Sequence, residues 1–456
     1  MQSAYNLTIM STEDTNNNTV FILKAGGARS RVEEDEAMII AKRFEDEIAV
    51  NANAKAKAGT PVKTILDLSC RSWPRRSLDK LRPVLSQVSS TVAVLKIDDI
   101  IASLPTDEGL DSLKYFADVF ATSDVVEIDL SDNALGSRGD QVLLPLFKLP
   151  TLKKLAIDNC GMSKEVTQSL LTSICDKPLT HLRLGRNQIG HEGAPHVQKL
   201  ISDCTSIEVF HYDGCRPLKE GTRAILQGLA TMADSVATTA LTDLNLHDCT
   251  FGDDDDADED NASAIVNLVR VLQKSPNLKI LNLQDGEIGA EGLDQVLQAL
   301  VKSGAEQGLV SLSLGGCELG EEGSDILAEF INNPSHYLSH LEDLTLDTNE
   351  LADYGVETLT NALCSSGASK LIKLNFECNE IEKSGAKAMY QNKLPNLKEL
   401  NILDNMDIPR KWGDKLVSLY DKVLIDEDLD EGDDDNEDDA DAEQIIDDLA
   451  GQLSGL

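Results

Sequence analysis

Few side chains in these 456 residues are spaced for chemistry of their own. His336 and His340 stand four apart, as two zinc ligands on one helical face do. Tyr337 holds the place where that motif needs its glutamate, and Pro334 opposes a helix carrying both rings, so no metal site is expected there. No G-x-x-x-x-G-K phosphate loop, no G-x-S-x-G elbow and no CxxC pair occurs. What does recur is a short polar run: S-D-N ending at Asn133, D-N-C at Cys160, G-R-N at Asn187, H-D-C at Cys249 and Q-D-G at Gly286. The last residue of each run is read as a structural rung. The residue before it, in turn Asp132, Asn159, Arg186, Asp248 and Asp285, can project outward. Amides, guanidinium and carboxylates in a row suit hydrogen bonding and charge pairing with another protein. Asp132 also suits stabilisation of its own turn. No autonomous enzyme and no cofactor is expected.

The elements that position this row follow from the frame around Asn133. Val125 to Gly136 has the form L-x-x-L-x-L-x-x-N-x-L-G, the signature of a leucine-rich repeat. Ile128 and Leu130 alternate, so both point to one face of a short strand. The frame returns about twelve times, roughly every 26 to 37 residues. Its rungs are Arg71, Ile100, Asn133, Cys160, Asn187, Cys215, Cys249, Gly286, Cys317, Asn349, Asn379 and Asn405. Between strands, Gly190 to Ser202 and Gly289 to Lys302 show helical periodicity. One unit cannot bury its own apolar face, so copies must stack. The expected fold is an α/β leucine-rich-repeat solenoid, a horseshoe with parallel strands concave and helices convex.

Along the chain, residues 1–19 are polar and read as a disordered lead. Residues 20–61 read as an N-terminal cap: a strand at Val20 to Leu23, a helix over Val32 to Ile48 and a loop from Asn51 to Pro61. Residues 62–425 form the repeat domain, with a far cap around Pro409 and Trp412. The loop after Cys249 is swollen by acids at Asp253 to Asp260. Residues 426–456 form an acidic tail, expected to be disordered because like charges repel and apolar residues are few. The formal charge of −38 argues against nucleic acid and favours a basic protein partner. Cys160, Cys215, Cys249 and Cys317 sit at rungs and read as reduced, structural thiols. No membrane span or leader is apparent, and a cytoplasmic monomer is expected.

I-D-L-S-D-N-A-L-G at Ile128 to Gly136 resembles the repeat of the Ran GTPase-activating proteins, as does the plan of long repeats before an acidic tail. V-F-I-L-K-A-G-G-A-R at Val20 to Arg29 is similar to the F-x-I-S-G-G-x-R segment of the plant-type branch. Ile97 to Glu108 is similar to their D-I-I-A-G-R-P-E-x-E. Their N-terminal Trp-Pro-Pro targeting domain has no match, since Trp73-Pro74 is a dipeptide inside a repeat and reads as packing. The resemblance implies a regulator of a Ran-type GTPase in its GTP form, acting in nucleocytoplasmic transport with a Ran-binding protein as accessory. It implies a cytoplasmic place, near the nuclear envelope. It also implies that Asn159 positions the GTPase's own glutamine, and that Asp248 and Asp285 meet its lysines. One departure stands out: Leu104 occupies the place of the family's arginine, and leucine donates no hydrogen bond. The alternative is a non-catalytic scaffold for a basic protein.

Overall fold

The computed structural model describes residues 20–58, 63–252, 263–303, 308–332, 340–366, 370–405 and 408–427. The polar lead, the acidic loop at 253–260, His336 and the tail beyond 427 lie outside the described residues. Fourteen strands among the described residues form one parallel sheet in sequence order. They are β1 (Val20–Lys24), β2 (Lys63–Asp67), β3 (Val92–Lys96), β4 (Glu127–Asp129), β5 (Lys154–Ala156), β6 (His181–Arg183) and β7 (Val209–His211). Then follow β8 (Asp243–Asn245), β9 (Ile280–Asn282), β10 (Ser311–Ser313), β11 (Asp343–Thr345), β12 (Lys373–Asn375), β13 (Glu399–Asn401) and β14 (Lys422–Leu424). A helix lies between nearly every pair, which makes the molecule a leucine-rich-repeat solenoid.

Most strands are three residues long because the repeat needs only one inward side chain between two outward ones. The inward residues stay in register along the stack: Leu95, Ile128, Leu155, Leu182, Phe210 and Leu244 face one another across β3 to β8. Each is at most 1% exposed. A buried leucine contributes about 2 kcal/mol, and here it does so only because the neighbouring unit covers it. The helices Gly190–Asp203 and Gly289–Lys302 stand where the periodicity placed them, with Val197, Leu200, Val296 and Leu300 buried against the sheet.

Two expectations need correction. The helix Glu34–Ala58 runs through the start of the stretch read as a loop from Asn51. Alanine and lysine are strong helix formers, and the first breakers in the sequence are Gly59 and Pro61. At the far end, Lys422–Leu424 adds a strand where only a cap was expected, pairing with β13 from Glu399↔Lys422 to Asn401↔Leu424. Trp73 does pack, as read: it is fully buried and its Nε1 donates to Leu68 O at 2.9 Å.

Candidate functional site

After each strand the chain must turn out of the sheet. The tightest route sends one residue through the left-handed region just before the rung. Asp99, Asp132, Asn159, Arg186, Asp248 and Asp285 have φ of 52°, 59°, 53°, 55°, 62° and 56°. This conformation disfavours most side chains by about 1–2 kcal/mol and is kindest to Asn, Asp and Gly. The stack compensates with a backbone bond from each of these residues to the next turn. Asp132 N donates to Asp158 O at 2.8 Å, Asn159 N to Gly185 O at 2.8 Å and Arg186 N to Asp213 O at 2.6 Å. The left-handed residue thus does its structural duty with its backbone, and the side chains of Asp132, Asn159, Arg186 and Asp285 are exposed, while Asp248 is half-buried and Asp99 buried. The result is a rim along one edge of the sheet.

The rungs beneath are buried. Asn133 Nδ2 donates to Ile97 O and Leu130 O, both at 2.8 Å, and its Oδ1 accepts from Ile100 N at 3.0 Å. Asn187 does the same with Ile157 O and Leu184 O, while its Oδ1 accepts from Cys160 N at 3.0 Å and Met162 N at 3.1 Å. Cys160 is fully buried, and its thiol donates to Leu130 O at 3.3 Å. Burial pushes that thiol well above the ordinary range, and it pushes the Cys317 thiol up to about 12. These cysteines are therefore packing groups and not nucleophiles.

Asn159 is exposed on the rim, one place ahead of Cys160. Its Nδ2 donates to Asp132 Oδ1 of the preceding turn at 2.7 Å. That bond uses one of the amide's two N–H groups and fixes which way the amide faces. Asp132 therefore reaches sideways to Asn159, a role distinct from holding its own turn. Beneath them Asp158 is 3% exposed. Its carboxylate accepts from Gly185 N at 2.8 Å and pairs with the Arg183 guanidinium. Burial raises the Asp158 carboxyl above the usual carboxylate range, and Arg183 opposes the rise. The buried Asp158 carboxylate, with the half-buried Arg183, ties the turn carrying Asn159 to the turn after it.

Arg186 lies on that next turn, exposed, with its stem across Gly214. A Cβ on Gly214 would come within 3.3 Å of Arg186 Cγ, so the glycine makes room for the stem. Asp248 and Asp285 do not join this group. They sit three and four strands beyond β5, about 14 and 19 Å away at the usual strand spacing. Asp285 is bonded by His247 Nε2 at 2.7 Å. Asp248 is half-buried, and burial lifts its carboxyl while His247 opposes.

Sequence reasoning missed two pairs. The Asp158–Arg183 pair was readable in principle, because strand alternation puts Arg183 on the open face of the sheet. Asp99 precedes the rung Ile100 and belongs to the same row. Its partner is Arg29, whose Nη2 lies 2.8 Å from Asp99 Oδ1. No local signal could announce a contact across 70 positions. Leu104, in the place of the family arginine, is half-buried and packs against the core. Among the described residues, no group of three His, Cys, Asp or Glu is arranged to hold a metal, and no helix is long and apolar enough to cross a membrane.

Comparison with known proteins identifies the repeats. The family described as "Leucine Rich repeat" matches at residues 176–194, 274–295 and 367–389. The pig (Sus scrofa) ribonuclease inhibitor is 26% identical over 308 residues, covering 61% of this chain and 64% of that protein. The human NACHT, LRR and PYD domains-containing protein 3 is 26% identical over 279 residues, covering 59% of this chain and 24% of that one. This chain therefore spans less than two thirds of either relative. Among solved structures, a chain of the yeast Rad7 and Elc1 complex covers 77% of this chain and 91% of its own, with a TM-score of 0.43 and 15% identity. The repeats are of the ribonuclease-inhibitor-like kind.

Proposed function

We propose that this solenoid of ribonuclease-inhibitor-like repeats is a GTPase activator of Ran, acting on the GTP-bound form and lending the partner's active site one amide. The observation that carries the reading is Asn159: an exposed carboxamide in a rigid left-handed turn, oriented by Asp132 and flanked by Arg186. An amide held this way can donate and accept at once, which suits it to holding a glutamine side chain. Ran would supply nucleotide, magnesium and its own glutamine. The solenoid would supply position, a means of catalysis that converts a wandering side chain into an aligned one. The sequence resemblance at Ile128 to Gly136 supports the choice of partner, and the net charge of −38 supports a basic one.

The test is single-turnover GTP hydrolysis on Ran with and without this chain. A rate enhancement that saturates with added chain is expected. A flat response from a folded, Ran-binding chain would leave a protein-binding scaffold, a reading favoured by Leu104, whose apolar side chain packs inward where the family has an arginine.

A further inference from the structure

We propose that Arg29 is a second working side chain of this rim, a guanidinium delivered by the N-terminal cap that contacts the GTPase alongside Asn159. The inference rests on the partner read above; the residue and its role come from the geometry. Arg29 and Asn159 each pair with a carboxylate of the same rim, on turns close to one another. Arg29 Nη2 lies 2.8 Å from Asp99 Oδ1 after β3. Asp132 follows β4, and its Oδ1 holds the Asn159 amide after β5 at 2.7 Å. The Asp99 and Asn159 turns are two strand spacings apart, about 10 Å, so a partner loop that reaches Asn159 can also reach the guanidinium held at Asp99.

The loop that carries Arg29 is built to be rigid. Ala25 N donates to Asp67 O and Val32 N to Ser72 O, both at 2.8 Å. Arg71, a buried rung, donates to Gly26 O at 3.2 Å and to Ser30 Oγ at 2.9 Å. Gly27 takes φ +100°, and a Cβ there would meet Arg71 Nη1 at 2.9 Å. The backbone on both sides of Arg29 is thus pinned, while its side chain is 66% exposed. A side chain kept in water on an anchored loop, paired through Nη2 with Asp99 alone among the described residues, has N–H groups left over there. A guanidinium carries five, in a fork suited to carbonyl and anionic oxygens. The bond to Asp99 holds one edge of the fork at the rim. Leu104, on the turn after β3, is half-buried against the core and brings no charge to the rim.

Single-turnover GTP hydrolysis on Ran, titrated with the full chain, separates the possibilities. Arg29→Ala should lower the saturating rate by about 10²-fold, the scale seen when one positioned donor is removed. Half-saturation should move by less than about threefold, and the thermal midpoint should fall slightly and equally in the alanine and glutamine variants, because the buried Asp99 carboxylate loses its cation. Arg29→Lys should recover part of the rate, as charge without the fork. Arg29→Gln, which keeps the stem, guards against a packing artefact and should behave like the alanine variant. A parent-like saturating rate in the alanine and glutamine variants would overturn the proposal while leaving Ran as the partner. If the parent chain itself fails to accelerate hydrolysis, the partner reading falls and the proposal with it.

Discussion

The rim after β3 to β6 and the rim after β9 to β12 share one backbone but differ in what they do with it. In the first, neighbouring side chains connect: Arg29 to Asp99, Asp132 to Asn159, and Asp158 below them to Arg183. In the second, the left-handed row runs Asp285, Gly316, Thr348 and Cys378. Beyond the rungs lies a second left-handed row of exposed glutamates, Glu318, Glu350 and Glu380. These glutamates are like charges on adjacent turns about 5 Å apart and repel, although Asp347 and Glu377 nearby accept from Asn375 Nδ2 at 3.2 Å and Asn401 Nδ2 at 2.7 Å. The rungs differ as well. In the C-terminal region Asn349 N donates to Asn379 Oδ1 at 3.0 Å, and Asn379 N to Asn405 Oδ1 at 2.8 Å. In the middle, Cys215 offers one thiol bond to Leu184 O at 3.1 Å. The contrast teaches that rung and rim are independent. Rungs carry the stack, and the rim is free to carry connected, oriented chemistry in one place and bare charge in another.

The sharpest break of that comparison is at a rung. Asn379→Ala strands several buried backbone groups and should cost about 3 kcal/mol or more in chemical denaturation, against about 1 kcal/mol for Cys215→Ala. Equal losses would mean that the asparagine rungs hold the stack no better than the thiols. On the rim the expectation reverses. Asn159→Gly keeps the left-handed turn without strain, so stability should hold while stimulated hydrolysis on Ran falls about 10²-fold. A glycine variant as active as the parent would remove the assigned role.

The acidic floor of the second region should show itself through pH. Burial, with Glu377 and Asp285 nearby, lifts the Asp347 carboxyl to about 6. A carboxyl raised on folding favours the protonated form, so its contribution is present below the unfolded value near 4 and is lost as pH rises through about 6. Asp347→Asn should therefore stabilise the fold at pH 7.5, by at most about 3 kcal/mol, with the gain fading as pH falls through 6. A gain independent of pH would refute the assignment. The smallest effect belongs to the exposed stripe. Glu318→Gln or Glu350→Gln should shift stability by less than about 0.5 kcal/mol, slightly upward at low salt and not at all at high salt.

Much of this was legible beforehand. Twelve rungs could be placed because burying Leu and Asn at fixed spacing is a local demand that each repeat states in full. The same frame located Asp132, Asn159 and Arg186 as outward residues, since the position before a rung has its backbone committed and its side chain free. Asp248 and Asp285 are grouped with them by the same position, although repeat order alone sets their turns three and four strands beyond β5. The Asn51 stretch was misread because small and charged residues suit a loop or a helix, and only the breakers that follow decide where the helix ends.

The repeat period, the rung identities and the existence of a polar rim follow from the chain's own pattern, because periodic burial leaves one way to stack. Which rim residues touch was settled only by the fold. Asp132 meets Asn159 because parallel stacking brings successive turns to one strand spacing, and Arg29 meets Asp99 because a long side chain on the loop after β1 reaches across two.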